Sequence, residues 1–285
     1  MHGRAVALGA GTVLNALSTG TGSAFAIDAE TTASVDLDDS GAVEGEVAED
    51  PEADTRLIER CVERAIETYG GGSGDVSGGT VRTESDVPMA AGLKSSSAAA
   101  NATVLATADA LGADPDPIEA CRLGVEAARD VGVTVTGAFD DASASMLGGV
   151  TITDNDADEL LARDEVDWEV LVWTPAERAY TADADVERCA NVAPMAELVA
   201  DLALDGRYAD AMTVNGLAFS AALGFSPDPA VEAMPHVAGV SLSGTGPSVV
   251  AVGDADGLDA VQDRWDRRSG RTWRTTTRND GARLV

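Results

Sequence analysis

The sequence predicts an α+β fold in two lobes. Its 285 residues suffice for one large domain or two modest ones around a sizeable core. Hydrophobic residues make up 45% of the chain, the balance of a globular protein and not of a disordered one. Stretches of extended, alternating pattern are interspersed with stretches of helical period, and the order suggests sheets with helices packed on them. Aromatic residues are only 4%, so Ala, Val and Leu must fill most of the interior.

Residues 4–10 and 24–37 read as strands around a Gly/Thr-rich connection, and 38–52 as an acidic loop. A helix is predicted over 54–69, with Leu57, Ile58, Cys61, Ala65 and Ile66 as its apolar stripe and Gly70, Gly71 and Gly72 as its stop. Residues 78–85 form a short strand. An Ala-rich helix follows over 96–111, with serines at its start and Gly112 just past its end. A further helix spans 115–129 with proline near its start. Residues 131–137 make a strand or turn, and a segment over 141–147 ends at Gly148-Gly149. The second lobe is expected from about residue 150, dividing the chain into 1–150 and 151–285. It holds strands at 150–153 and 168–174, helices at 192–204, 207–223 and 228–235, and runs at 237–243 and 247–253 flanking a Gly-rich turn. A helix at 255–267 and a strand at 271–278 complete it.

Asp and Glu number 49 against 19 Lys and Arg, a net charge of −30 spread along the chain. Such a surface repels nucleic-acid phosphates and anionic lipid, so neither is expected as a partner. It suits a cytoplasm of high salt, where screening removes most self-repulsion. Lys94 is the only lysine; the other basic side chains, His2 and His236 aside, are arginines. A single retained ammonium points to a local task, and a compact charge suits a phosphate. Cys61, Cys121 and Cys189 lack the spacing of zinc or redox motifs and read as core residues of a reducing compartment. With two histidines and no G-x-S-x-G elbow, a histidine-based triad or zinc cluster is excluded. The apolar run 5–27 is broken by glycines and Asn15, which argues against a signal peptide, and a cytoplasmic protein is expected.

The chemistry is expected at Pro88, Met89, Ala90, Ala91, Gly92, Leu93, Lys94, Ser95, Ser96, Ser97 and Ala98, between a strand and a helix. Small residues let backbone amides approach an anion, and the helix start aims its unpaired amides and positive dipole end at the same place. Three hydroxyls add donors, one of which can ligate magnesium, and Lys94 can neutralise phosphate charge. Serines before an Ala-rich helix can also be ordinary caps. The loop is not a Walker loop, because Leu93 separates Gly92 from Lys94 and Val87 stands where the first Gly belongs.

This run resembles the second motif of the GHMP small-molecule kinases, whose pattern is Pro, three small residues, Gly-Leu, then Ser-Ser and Ala. Thr136-Gly137-Ala138-Phe139-Asp140-Asp141, ending at Gly148-Gly149, is similar to the segment carrying their catalytic aspartate. Ser241 to Ser248 is similar to their third motif, a Gly-rich turn. Within the superfamily the archaeal shikimate kinases are most alike, on Gly9-Ala10-Gly11-Thr12 with Asn15-Ala16, on Gly92 to Ser97, and on Thr136 to Asp141.

The resemblance implies a two-lobed GHMP kinase fold, with an N-terminal βαβ-type lobe and a C-terminal ferredoxin-like lobe. It implies ATP and Mg2+ as cofactors and shikimate as the small-molecule substrate, phosphorylated on its 3-hydroxyl. Amides of Ala91 to Ser97 would hold the phosphates, with Lys94 adding charge and Gly244, Thr245 and Gly246 closing from the second lobe. Ser96 and Glu126 would ligate magnesium, although an exposed helical glutamate is the alternative for Glu126. Asp141, by its spacing from Gly148, would orient or deprotonate the substrate hydroxyl; Asp140 beside it points another way. An Arg should meet the substrate carboxylate. A kinase of homoserine or mevalonate, or a nonenzymatic nucleotide-binding protein, shares the same motifs.

Overall fold

A long antiparallel hairpin, β1 (His2–Leu14) and β2 (Thr21–Asp38), is the spine of the first sheet in the computed structural model, which describes residues 1–71, 76–134, 137–176 and 185–285. Both strands run further than their sequence suggests, through the glycines expected to break them. Those glycines are sites of close approach. A Cβ on Gly11 would lie 2.4 Å from the Phe25 ring, and one on Gly22 2.6 Å from the Asp140 side chain. Register shifts between Leu8 and Ala10 and between Thr12 and Leu14 interrupt the regular pairing.

The two halves of β2 take different second neighbours. Thr31–Asp38 pairs with β4 (Gly78–Ser85), and Thr21–Phe25 pairs with β5 (Val150–Asp154), which in turn pairs with β6 (Glu159–Asp164). β3 (Val43–Val47) lies parallel to β4, and α1 (Arg56–Tyr69) connects them, giving a βαβ unit. The acidic segment 38–52 is therefore not all loop. Its alternation of exposed glutamates, Glu44 and Glu46, with half-buried Val43, Gly45 and Val47 is that of an edge strand.

Helices α1, α2 (Ser95–Ala110) and α4 (Phe139–Leu147) pack against this sheet, and α3 (Pro117–Val131) packs on those three helices. α2 is central, touching β1, β2, α1, α3 and α4. Its alanines explain how: Ala98, Ala102 and Ala106 are fully buried, and small side chains let neighbours approach on all sides. Asp116 caps α3 by accepting from the amides of Ile118 and Glu119, and Gly132 ends it at φ 74°.

The second sheet, fully antiparallel, has the order β10 (Arg271–Thr276), β7 (Glu169–Thr174), β9 (Val249–Gly253), β8 (Gly239–Leu242). Between β7 and β8 run α5 (Val186–Cys189), α6 (Ala193–Leu204), α7 (Tyr208–Leu223) and α8 (Asp228–Ala233); α9 (Ala255–Trp265) joins β9 to β10. This is the split β-α-β-β-α-β arrangement of a ferredoxin-like unit. Its core includes Leu171, Met212, Phe219, Val250, Leu258 and Trp265, and continues into Leu14, Phe25 and Ile27 of the first sheet. The chain ends on β11 (Arg283–Leu284), paired back onto β1. Among the described residues no helix is long and apolar enough to cross a membrane.

Candidate active site

The loop before α2 alternates between anchored and left-handed residues. Val87, Ala91 and Leu93 are buried, and the Leu93 carbonyl accepts from the Ala10 amide of β1 at 3.1 Å. Between them Ala90, Gly92 and Lys94 have φ of 52°, 76° and 66°. Only at Gly92 is this conformation free of cost, and only Gly fits there, because a Cβ would lie 2.1 Å from the Ser243 carbonyl oxygen. Left-handed residues at Ala90 and Lys94 are the kind of local strain that gathers at functional sites.

Ser95, Ser96 and Ser97 all lie inside α2. The cap residue is Lys94, which makes no side-chain cap hydrogen bond, and among the described residues no side chain accepts from the first-turn amides. These serines are thus not ordinary caps. The helix start presents unsatisfied N–H groups and its positive dipole end to the space in front of it.

Lys94 Nζ lies 2.7 Å from Asp141 Oδ1, with side chains 4% and 20% exposed. The pair forms because α4 begins abruptly: Gly137 and Ala138 have φ of 87° and 54°, and Phe139 anchors the first turn in the core. One residue earlier, Asp140 points elsewhere. Its Oδ1 accepts from Asn155 Nδ2 at 2.7 Å, and its amide donates to Asn155 Oδ1 at 3.1 Å. Thr153 Oγ1 donates to that same Asn155 oxygen at 2.8 Å. Burial first, and then the neighbouring Asp141 charge, push the Asp140 carboxyl up to about 7, while Lys94 and the Asn155 bond pull it back. The two adjacent aspartates have separate environments, Asp141 on the lysine and Asp140 on the asparagine.

The turn between β8 and β9 closes over the loop. Ser243 Oγ donates to the Gly92 carbonyl at 2.8 Å, and the Gly244 amide donates to Thr12 Oγ1 at 2.7 Å. A Cβ on Gly244 would lie 3.1 Å from Lys94 Nζ.

These pieces surround a cavity of about 590 Å³, in the range of small-ligand sites. Of the sequence-predicted residues, Met89, Ala90, Gly92, Lys94, Ser95, Ser96, Ser97, Asp141, Gly244 and Thr245 line it. Ala91, Leu93 and Ala98 are buried beneath the loop as its anchors. Pro88 faces a separate depression beside Thr174, Pro175 and Arg271, and a Cβ on Gly246 would meet the Phe225 ring at 2.5 Å. Glu126 is not brought to the site. α3 turns Gly124, Val125 and Ala128 to the cavity, and Glu126 lies exposed with its carboxylate 2.5 Å from Arg64 Nη1. The expectation that it ligates magnesium is corrected accordingly: the carboxylate is on the wrong face. Thr136 and Val135 lie outside the described residues.

Sequence reasoning gave no role to Asn155 or Asn215. Asn155 sits in an acidic run, Asp154-Asn155-Asp156, that reads as a solvated turn. No local signal marks either residue: Asn155 meets Asp140 15 positions earlier, and Asn215 meets Asn15 and Ser241, 200 and 26 positions away.

A family model described as the GHMP kinases N terminal domain matches residues 56–149. The shikimate kinase of Halobacterium salinarum is 65% identical over the full length of both chains. The chain belongs to the archaeal shikimate kinase family of the GHMP kinases. A second relative of that family, the shikimate kinase of Methanosarcina mazei, is 49% identical over 99% of this chain and 96% of its own. The mevalonate kinase of Methanococcus jannaschii superposes with a TM-score of 0.79 over 98% of this chain and 99% of its own, at 14% identity, which establishes the two-lobed fold. Membership of this kinase family carries ATP-dependent phosphoryl transfer with it, as the three motifs anticipated.

Proposed function

We propose that this chain transfers the γ-phosphate of ATP to the 3-hydroxyl of shikimate, feeding the route to chorismate and the aromatic amino acids. The observation that carries the mechanism is the Lys94–Asp141 pair, placed beside a helix start whose amides have no internal partner. Phosphoryl transfer asks a protein mainly for alignment and charge stabilisation. The α2 amides and the left-handed loop hold the β- and γ-phosphates. Lys94 neutralises charge on the transferred group and holds Asp141 in place. Asp141 orients the acceptor hydroxyl and takes its proton as the oxygen–phosphorus bond forms and ADP leaves. The Gly244–Thr245 turn covers the phosphates from the second lobe.

Magnesium fits the oxygen donors present. Ser96 and Asp141 face the cavity, while no group of three acidic, His or Cys side chains that could hold a metal occurs among the described residues. That suits an ion held chiefly by phosphates and water, with one or two protein oxygens, as is usual for magnesium. When bound, it would neutralise phosphate charge.

We place the division between lobes near residue 165 and not at 150, because β5 and β6 both hydrogen-bond into the first sheet.

The test is a coupled assay of ADP formation in strong KCl, offering shikimate, homoserine and mevalonate in turn. Turnover of shikimate alone is expected. Turnover of homoserine or mevalonate without shikimate overturns the choice of substrate, and ATP binding without any turnover overturns the enzyme.

A further inference from the structure

Among the described residues, the cavity wall contributed by the second lobe is one short turn, and its position must be fixed to within an ångström if its backbone is to meet phosphates. What fixes it is a buried chain of amides and hydroxyls that begins outside the cavity. Asn215, on α7, is fully buried. Its Nδ2 donates to Ser241 Oγ at 2.9 Å, at the root of the turn on β8. Its Oδ1 accepts from the Asn15 amide at 2.9 Å, at the end of β1. Asn15 Nδ2 in turn donates to the Gly244 carbonyl at 2.8 Å, and Asn15 Oδ1 accepts from the Leu17 amide at 2.9 Å. The Gly244 amide is held from the other side by Thr12 Oγ1.

Asn215 therefore grips both ends of the junction, the second-lobe strand that leads into the turn and the first-lobe segment that holds the turn's carbonyl. The helix that carries it is pressed against that strand: a Cβ on Gly216 would lie 2.8 Å from the Ser241 Cα. The Asn215 carboxamide supplies a donor to one partner and an acceptor to the other from a single planar group. Buried and fully satisfied, such a network has one low-energy arrangement, since shifting the turn would leave several polar groups unpaired.

We propose that Asn215 is a positioning residue for nucleotide binding: acting through Asn15, it sets the Gly244–Thr245 turn over the phosphate loop, and it touches no substrate itself. The inference rests on the reading that this cavity holds the phosphates of ATP.

The experiment measures affinity for a non-hydrolysable ATP analogue by calorimetry, with KM for ATP and for shikimate. Asn215→Ala removes both bonds and is expected to weaken analogue affinity and raise KM for ATP by about tenfold, the scale of one buried polar group left unpaired. KM for shikimate should stay within about twofold, a split that general loosening of the fold would not give. Asn215→Asp keeps the acceptor for Asn15 but loses the donor to Ser241, whose own hydroxyl is committed to the Leu242 carbonyl at 3.0 Å, so KM for ATP should rise at least as far as in the Ala variant, and a wild-type KM in a folded Asp variant overturns the inference. Should Asn215→Ala fail to fold, Thr12→Val frees the turn from its other side and is expected to raise KM for ATP similarly. A wild-type KM for ATP in the folded variant, or an equal rise for both substrates, overturns the inference. Lys94→Met separates the two readings. If it weakens analogue binding while Asn215→Ala does not, the positioning role alone falls; if it leaves binding unchanged, the phosphate site falls with it.

Discussion

Replacing Lys94 by Met would remove the one cation that pairs with Asp141 among the described residues. Its aliphatic stem is already buried, with the side chain only 4% exposed, so Met fills the same volume without a large void. Two losses follow. The transferred phosphoryl group loses a fixed positive charge, and deleting one preorganised group of this kind costs about 100–1000-fold in kcat, or about 3–4 kcal/mol of transition-state stabilisation. Asp141 also loses its partner. Breaking a fully buried pair costs about 3–5 kcal/mol, but the 20% exposure of Asp141 lets water take up part of it, so a stability loss of about 1–3 kcal/mol is expected. The assay is kcat in the coupled reaction, alongside a denaturant midpoint. Asp141→Asn and the double variant complete a cycle: residues acting as a unit give a double variant about as slow as the worse single. A Lys94→Met enzyme with kcat within about threefold of the wild type would refute the reasoning, and so would fully multiplicative losses in the double variant.

Asp140 binds its proton more tightly folded than unfolded, because its carboxyl is raised to about 7. Its contribution to stability is therefore fully present near pH 4 and is lost as pH rises toward 7. Asp140→Asn should flatten that decline in denaturant midpoints measured from pH 4 to 8, and unchanged slopes would argue against it. Glu126→Gln should leave the magnesium dependence of turnover unaltered and cost less than about 1 kcal/mol, the scale of an exposed ion pair; a shifted magnesium titration would return this residue to the metal. Gly92→Ala adds a Cβ 2.1 Å from the Ser243 carbonyl at φ 76°, so the covering turn must move. A loss of about 100-fold or more in kcat/KM for ATP is expected from such displacement, and near-normal kinetics would mean the turn is not held as described.

Much of this fold is legible in the sequence wherever local pattern and packing agree. β4 occupies residues 78–85 as expected, and α2 and α7 lie within a residue of their predicted bounds. β3 hides because Glu44 and Glu46 make an edge strand look like solvated loop. β6 and β11 hide because short edge strands carry polar side chains, and only their partners define them. The segment over 141–147, which its pattern leaves without an element type, is the helix α4 and begins at Phe139; its left-handed cap falls on Ala138, a residue type that gives no such signal. The loop before α2 is legible as part of the cavity wall because its residues are contiguous in the chain. The face on which Glu126 lies is not, because a single sequence does not say which side of α3 meets the cavity. Nor is the separation of Asp140 from Asp141, which depends on Asn155 and Lys94, groups 15 and 47 positions away.

The solitary lysine makes the amine chemistry of this protein almost private to one cavity. Apart from the N-terminus, the single primary amine is Lys94, buried at the junction of two lobes. Acylating or imine-forming reagents would thus find one internal target, and a bound nucleotide would shield it. The extent of labelling at that residue would read occupancy directly, in concentrated salt and in crude extracts alike, without engineering a probe into the chain.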